Sequence, residues 1–216
     1  MPVAATVNEH ERDELERFDA PGLLAWAAER FQPRLGLASS FQKEEAVLID
    51  LLMQVAPDAR VFTLDTGVLF PETYAVWREV EERYGITIEP YRGTWIDGLW
   101  ATEPDRCCAM RKVEPLGRAL AELDCWITGL RREQSPTRAT APKVEYDEKH
   151  GLWKLNPIAE WSERDVWSYV MERGLPYNAL HDQGYASIGC THCTLPGSGR
   201  EGRWAGRDKT ECGLHV

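Results

Sequence analysis

Six cysteines are the residues with the most distinctive chemistry in this chain, and four of them form two close pairs. Cys107 and Cys108 are adjacent, while Cys190 and Cys193 form a C-x-x-C motif in GCTHCT. Two such pairs can supply four thiolates to zinc or to an iron–sulfur cluster. Zinc ligands within a pair usually lie two to four residues apart, and adjacent helical residues point about 100° apart. The spacing therefore predicts a metal centre and mildly favours a cluster, with zinc left open.

The other two cysteines have different surroundings. Cys212 lies four residues from the last residue, in KTECGLHV, after a glycine-rich, charged stretch at 196–211 that lacks periodicity. Such a stretch is typical of a mobile segment, which would let the Cys212 thiol move between two partners. Cys125 opens the apolar strand CWITGL, and we interpret it as a buried structural thiol.

Charge indicates the kind of ligand. The 216 residues carry a formal net charge of −10, which argues against a general binder of nucleic acid or membrane surfaces. Residues 106–143 nevertheless hold eight Lys/Arg against four Asp/Glu, and the planar fork of arginine suits phosphate and sulfate. This local excess indicates a specific anionic ligand. Because the sequence has neither a signal-peptide pattern nor a long apolar run, we expect a cytoplasmic protein.

Apolar runs and turn residues predict alternating strands and helices. Strands are expected in RLGLASS, ARVFTLDTG, ITIEPYR and CWITGL, and helices in FQKEEAVLIDLLMQV and PETYAVWREVEERYG. This alternation predicts an α/β fold with a parallel sheet covered on both faces. Ligands of such sheets lie beyond the carboxyl ends of the strands, here ASSFQ, LDTG, YRGTW and TGLRREQS. The SSFQKEE joint, with a capping box predicted from Ser39 to Gln42, would turn a helix N-terminus towards an anion.

Three elements are predicted outside these strands. Residues 8–31 have the pattern of a partly amphipathic helix interrupted near Pro21. KVEYDEKHGLWKLNPI predicts a hairpin with its turn at 149–151. SERDVWSYVMERG predicts a helix capped by Ser162 and ended by Gly174.

Eight motifs occur in order along the chain: SSFQKEEAVL, LDTGVLFPETY, RCCAMRKVEPL, WITGLRREQSPTRA, LNPIAEWSERDVWSYV, PYNALHDQGYASIGCTHCT, GREGRW and KTECGLH. Together they resemble the assimilatory adenylyl-sulfate (APS) reductases, the iron–sulfur branch of the phosphoadenylyl-sulfate (PAPS)/APS reductase family, over residues 34–216. The resemblance implies one domain over 1–216 with an N-terminal helical segment at 1–33. It also implies a Rossmann-like adenine-nucleotide-binding fold related to the ATP pyrophosphatases, with a flexible tail at 196–216.

The same resemblance implies roles for particular residues. The two cysteine pairs would bind a [4Fe–4S] cluster, a mark of family members that prefer APS, and Cys212 would be the nucleophile. The nucleotide and its phosphate–sulfate group would contact a larger set, which comprises Ser39, Ser40, Phe41, Gln42, Leu64, Asp65, Thr66, Gly67, Lys112, Gly129, Arg131, Arg138, Arg200, Arg203 and His215.

The implied activity is reduction of APS to sulfite and AMP through a cysteine S-sulfonate, in assimilatory sulfate reduction. Thioredoxin or a similar dithiol protein would supply the electrons; neither nucleic acid nor a membrane is an expected partner, and a homo-oligomer is left open. Two alternatives are the same chemistry on PAPS and a zinc-containing or redox-sensing binding module. An adenylating enzyme of the ATP-pyrophosphatase type is less favoured, because SSFQKEE departs from the SGGxDS-like loop of those enzymes.

Overall fold

A six-stranded sheet forms the centre of the computed structural model, which describes residues 7–206, 209 and 212–214. The strands are β1 (Leu35–Ser39), β2 (Arg60–Leu64), β3 (Glu89–Tyr91), β4 (Cys125–Ile127), β5 (Val144–Asp147) and β6 (Leu152–Leu155). Their order is β3-β2-β1-β4-β6-β5, and all neighbours are parallel except β5 and β6. The predicted α/β fold with a mostly parallel sheet is confirmed.

The helices surround this sheet. They are α1 (Glu9–Leu15), α2 (Ala20–Phe31), α3 (Lys43–Val55), α4 (Pro71–Tyr84), α5 (Leu99–Thr102), α6 (Pro104–Cys108), α7 (Glu114–Leu120) and α8 (Glu163–Arg173). As predicted, Gly85 ends α4 and Gly174 ends α8, both in the left-handed region, and Ser162 caps α8. None of the described helices is long and apolar enough to span a membrane.

The interruption near Pro21 is confirmed, but it lies a few residues earlier than predicted. Residues 16–19 separate α1 from α2, and the Asp19 carboxylate accepts a hydrogen bond from the Gly22 N–H at 2.8 Å. Pro21 therefore belongs to the first turn of α2. Proline is tolerated there because the first helical N–H groups have no partner within the helix.

Alternate strand residues pack into two apolar clusters. Val61 of β2 and Ile127 of β4 belong to a cluster with residues of α1–α4 and α8. Phe62 and Trp126, each one position away, pack instead with residues of α7. Successive strand residues point to opposite faces, so the sheet is covered on both faces, as predicted for a parallel sheet.

The hairpin of β5 and β6 extends the main sheet. Val144 pairs with Leu155 and Asp147 with Leu152 in antiparallel register, while β6 also runs parallel to β4. The sequence predicted the hairpin but not its position at the sheet edge. All four β6 residues are buried, so LWKL lacks the alternation that would reveal a half-exposed strand.

Candidate active site

A cavity of about 240 Å³ lies at the carboxyl ends of β1, β2 and β4. The strand order reverses there, since β2 lies on one side of β1 and β4 on the other. Such a switch point is the usual ligand site of an open parallel sheet. The predicted site residues that line this cavity are Ser39, Ser40, Gln42, Leu64, Thr66, Lys112, Gly129, Arg131, Arg138, Arg200, Arg203 and Cys212. Their contacts with a ligand stay predictions.

Phe41 does not line the cavity. Its φ is +59°, only 2% of its surface is exposed, and its ring stacks on Trp77 with 5.4 Å between ring centroids. The positive φ turns this side chain into the apolar core, where it packs on Trp77; its predicted contact with the nucleotide stays a prediction. His215, the other predicted contact from the chain end, lies outside the described residues.

Asp65 and Gly67 also lie off the cavity wall, and they hold the LDTG turn together. The Asp65 carboxylate accepts hydrogen bonds from the Tyr74 hydroxyl at 2.7 Å, the Gly67 N–H at 2.9 Å and Arg92 Nε at 2.8 Å. Burial acts to raise the pKa of Asp65, but Tyr74, Gly67 and Arg92 together lower it below its usual value. Asp65 therefore fixes the backbone beside Thr66, which does line the cavity.

The predicted capping box from Ser39 to Gln42 is wrong. Gln42 is itself the N-cap of α3, and its N–H donates to the Glu45 carboxylate at 3.2 Å. Ser39 ends β1, and its hydroxyl accepts from the Phe41 N–H at 3.2 Å. The first turn of α3 therefore already contains a carboxylate where an external anion was expected.

The first turn of α3 contains two carboxyls, Glu44 and Glu45, and the pKa of Glu45 is strongly shifted. Glu45 is 8% exposed, accepts from the Ser40 hydroxyl at 2.9 Å, and lines the cavity. Burial, reinforced by the neighbouring Glu44, raises its pKa from 4.5 to about 7. Gly129 packs against this pair so closely that a Cβ there would lie 2.5 Å from a Glu45 oxygen. A side chain at that position would push the first turn of α3 away from the loop after β4.

Arg131 is held by the protein itself. Its Nε and Nη2 donate to one oxygen of Glu44 at 3.0 and 2.9 Å, and both side chains are buried. Its Nη1 also contacts Glu133 at 3.1 Å and the Trp161 carbonyl at 3.2 Å. Arg131 lines the cavity, and these partners take most of its guanidinium N–H groups; its contact with the nucleotide stays a prediction.

A second, smaller cavity brings together the two cysteine pairs. Cys107, Cys108, Cys190 and Cys193 all line it, and none of the six cysteines forms a disulfide. Within the part of the chain that the structure describes, no three His, Cys, Asp or Glu side chains are placed to hold a single metal ion. Trp204 lines the same cavity, and its buried Nε1–H has no hydrogen-bond partner among the described residues. Because such buried donors are nearly always satisfied, this N–H fits a bound acceptor.

Burial, nearby cations and one hydroxyl shift the pKa values of these thiols. Burial raises the pKa of Cys107 and of Cys108 above the usual thiol value. Burial alone would do the same at Cys190, but the Lys112 ammonium and the Thr66 hydroxyl, 3.3 Å from its sulfur, help to lower its pKa. Since metals bind thiolates rather than thiols, Cys190 is better prepared to lose its proton than Cys107 or Cys108.

Lys112 lines both cavities. It lies in a π-helical turn, Ala109–Val113, where the Glu114 N–H bonds the Ala109 carbonyl. Pro115 has no N–H, so the usual i→i−4 bond cannot form there, and single π turns are frequent at functional sites. Between Cys108 and Lys112 the chain therefore departs from the spacing of an ordinary α-helix.

Cys212 lies on the wall of the main cavity together with Lys112 and Arg203. Two residues later, Leu214 packs against the apolar cluster formed with α7. Burial disfavours the charge on Lys112, but the sulfurs of Cys190 and Cys212 raise its pKa above the usual value. The described part of the tail therefore lies against the cavity, with its thiol near a strong cation.

The glycine-rich segment before Cys212 is packed over 196–206, even though it lacks a helix or strand. Leu195 N–H donates to the Gly202 carbonyl at 2.9 Å, and Arg203 and Trp204 are buried. Arg203 Nη1 donates to the Ser187 hydroxyl at 3.2 Å. Turns fix this segment without periodicity, which is why sequence patterns did not indicate it; the mobility of the tail stays a prediction.

Comparison with known proteins identifies the family. The model of the phosphoadenosine phosphosulfate reductase domain matches residues 34–196. The chain belongs to the phosphoadenosine phosphosulfate reductase family. An adenosine 5'-phosphosulfate reductase of Geobacillus kaustophilus is 46% identical over 208 residues, which cover 90% of this chain and 88% of that protein. A phosphoadenosine 5'-phosphosulfate reductase of Gloeobacter violaceus is 42% identical over 232 residues, which cover 100% and 96%.

A solved member of the reductase family has the same fold. The phosphoadenylyl-sulfate reductase of Candida auris, in a phosphate complex, superposes with a TM-score of 0.79 at 29% identity, covering 88% of this chain and 98% of that one. The resemblance inferred from the motifs is therefore confirmed at the level of family and fold.

Besides Glu45, sequence reasoning missed Arg111 and Trp204, which line the cysteine cavity. Arg111 is 5% exposed, lines the cysteine cavity, and lies 3.3 Å from the ring centroid of Trp95. Trp204 supplies the unpartnered N–H described above. The only signals for them were a second basic residue in RCCAMRK and the aromatic residue in GREGRW.

Proposed function

We propose that this chain is an APS reductase, which reduces APS to sulfite and AMP with electrons from thioredoxin or a similar dithiol protein. The reaction would take place in the cytoplasm during assimilatory sulfate reduction. The observation that carries the proposal is the position of Cys212 on the wall of the main cavity, with Lys112, Arg200 and Arg203 on the same wall. A thiol facing a cation-lined cavity at the ligand end of a parallel sheet suits attack on an anionic nucleotide.

The first step is nucleophilic substitution at sulfur. The Cys212 thiolate forms a bond to the sulfate sulfur of APS, and the bond between that sulfur and the bridging phosphate oxygen breaks. AMP leaves with the electron pair, and Cys212 carries an S-sulfonate. Lys112, Arg200 and Arg203 would stabilise the negative charge that grows on the departing phosphate.

The second step needs an external dithiol. One thiolate of the dithiol attacks the Cys212 sulfur, sulfite leaves with the electron pair, and a mixed disulfide forms. The second thiol of the dithiol protein then attacks the first sulfur of the same protein, which is bonded to Cys212 in the mixed disulfide. The dithiol protein becomes an internal disulfide, and Cys212 leaves as a thiol. Two electrons pass from the dithiol to sulfur, and Cys125, buried in β4, takes no part.

The two cysteine pairs would hold a [4Fe–4S] cluster. Four cysteines on one cavity, none of them in a disulfide, and the Trp204 N–H, which has no acceptor among the described residues, support this assignment. When bound, the cluster would cross-link α6 to the C-x-x-C loop and add negative charge beside Lys112. Neither the substitution at sulfur nor the reduction by the dithiol depends on the cluster.

Sulfite release from APS by anaerobically purified protein, with thioredoxin as reductant, tests the function. We expect turnover by the parent protein and none by the Cys212→Ser variant, which should still bind APS. Cys125→Ser is the matched control, because it removes a thiol outside the cavity. Turnover by Cys212→Ser, or no sulfite from the cluster-containing parent, would contradict the proposal.

The choice between APS and PAPS requires a direct comparison of kcat/KM. Relatives with either name are similar to this chain, but the paired cysteines resemble those of the members that prefer APS. A 3′-phosphate adds about two negative charges and needs further cations beside the ribose. We therefore expect a higher kcat/KM for APS, and a higher value for PAPS would assign the chain to the alternative substrate.

A further inference from the structure

Lys209 attaches the tail to the helix that carries the adjacent cysteine pair. Its ammonium forms an ion pair with the Asp105 carboxylate of α6. The Lys209 side chain is 11% exposed, and its ammonium lies 5.5 Å from the ring centroid of Trp204. Its stem is thus packed while its charge reaches Asp105, a contact that a solvated surface lysine does not make.

Lys209, which forms the ion pair with Asp105, lies close to Cys212 along the chain. Lys209 precedes Cys212 by three residues, so the two Cα atoms are separated by about 11 Å at most. Leu214, two residues after Cys212, packs against the apolar cluster formed with α7. Cys212 is therefore bracketed by a polar attachment on one side and an apolar attachment on the other.

The two attachments have different consequences for opening. An apolar contact holds through salt and needs no directional partner, whereas an ion pair at the surface weakens as salt increases. Asp105 is 85% exposed, and pairs with an exposed partner are weak enough to break readily. A tail whose thiol has to meet first the nucleotide and then a protein dithiol requires such a reversible attachment.

We propose that Lys209 is a positioning residue whose ion pair with Asp105 latches the tail in the closed position, with Cys212 facing the nucleotide. The proposal rests on the proposed function for its role in catalysis, while the latch itself is a property of the free protein. Breaking the pair favours the open tail, in which the Cys212 thiol or its S-sulfonate is accessible to a dithiol. Lys209 is not part of the lining of the main cavity, so its proposed effect is on the population of the closed state.

Thiol accessibility measures that population directly. The full-length, cluster-containing protein is treated anaerobically with a limiting maleimide, and alkylation at Cys212 is followed by peptide-resolved mass spectrometry. Lys209→Met keeps an unbranched apolar stem over Trp204 and removes the charge; Asp105→Asn removes the other charge at an exposed position. Lys209→Arg is the conservative variant that should keep the pair.

We expect Lys209→Met and Asp105→Asn each to raise the alkylation rate at Cys212 about two- to fivefold, the range of a surface ion pair. The double variant should be no faster than the faster single one. Raising the salt to about 1 M should bring the parent towards the variants. Glu103→Gln is the matched control on the same segment, because Glu103 pairs with Arg106 and with none of the described tail residues, and its rate should equal that of the parent.

Single-turnover formation of the S-sulfonate provides the second readout. The rate of S-sulfonate formation should fall equally in Lys209→Met and Asp105→Asn, because both variants lower the population of the closed tail. The rate at which thioredoxin releases sulfite should not fall. Equal alkylation rates in the parent, Lys209→Met and Asp105→Asn would overturn the latch even if APS is reduced normally. If APS gives no adduct in any variant, the proposed function fails, and faster alkylation would still establish the latch.

Discussion

Replacing Glu45 by glutamine should stabilise the protein at alkaline pH. Glu45 is a buried carboxyl whose pKa is raised from 4.5 to about 7 by burial and by Glu44. Glutamine keeps a similar volume and an oxygen that can accept from the Ser40 hydroxyl and the Gln42 N–H. It cannot ionise, so the variant avoids the free energy of charging a carboxylate inside the first turn of α3.

The sign and size follow from the two pKa values. Because the folded protein holds this proton more tightly than the unfolded chain, the contribution of Glu45 to stability is present below pH 4.5 and is lost as pH rises through about 7. The difference corresponds to about 3 kcal/mol at full ionisation, since a tenfold change in proton affinity is worth about 1.4 kcal/mol. About 2 kcal/mol of this should develop between pH 5.5 and 8.5.

Thermal unfolding at a fixed scan rate under anaerobic conditions measures the effect. The melting temperature of Glu45→Gln minus that of the parent should rise by about 4–8 °C between pH 5.5 and 8.5. Glu44→Gln is the contrasting variant, because it removes the ion pair of the buried Arg131 and should destabilise at every pH in that range. A difference between Glu45→Gln and the parent that does not change with pH would refute the raised pKa.

Three further predictions concern residues of the same site. Arg131→Met should lower the free energy of unfolding by about 3–5 kcal/mol in urea titrations, because it leaves the Glu44 carboxylate buried and without its ion-pair partner. A loss below about 1 kcal/mol would show that the ion pair with Glu44 does not stabilise the fold. Cys125→Ser should release sulfite nearly as fast as the parent, and loss of turnover would make Cys125 a resolving thiol. Lys112→Ala should slow S-sulfonate formation at least tenfold with the visible cluster absorbance retained, and near-normal turnover would rule out its proposed role.

Local sequence signals predicted the elements that position the site. Pro71 and Gly85 mark the two ends of α4 in the sequence, and Ser162 and Gly174 mark the two ends of α8. The strands could be predicted because their apolar runs are bounded by turns, and parallel topology then placed their carboxyl ends at one edge. Cys107, Cys108, Cys190 and Cys193 could be grouped from spacing alone, and all four line one cavity.

The partners of charged residues could not be predicted in the same way. Glu44 and Arg131 are 87 residues apart, and Asp105 and Lys209 are 104 apart. Such pairs depend on how distant elements pack, which no local pattern encodes. The π turn that carries Lys112 was also missed, because the effect of one proline on helix register depends on the packing around it.

Intact-mass spectrometry after mixing the protein with APS and no reductant is the decisive test of Cys212 as the nucleophile. We expect a gain of about 80 Da, the mass of one SO₃ group, located on Cys212 by peptide mapping and removed by added thioredoxin. Cys212→Ser should bind APS and gain no mass. An adduct on another cysteine, or sulfite production by Cys212→Ser, would contradict the account.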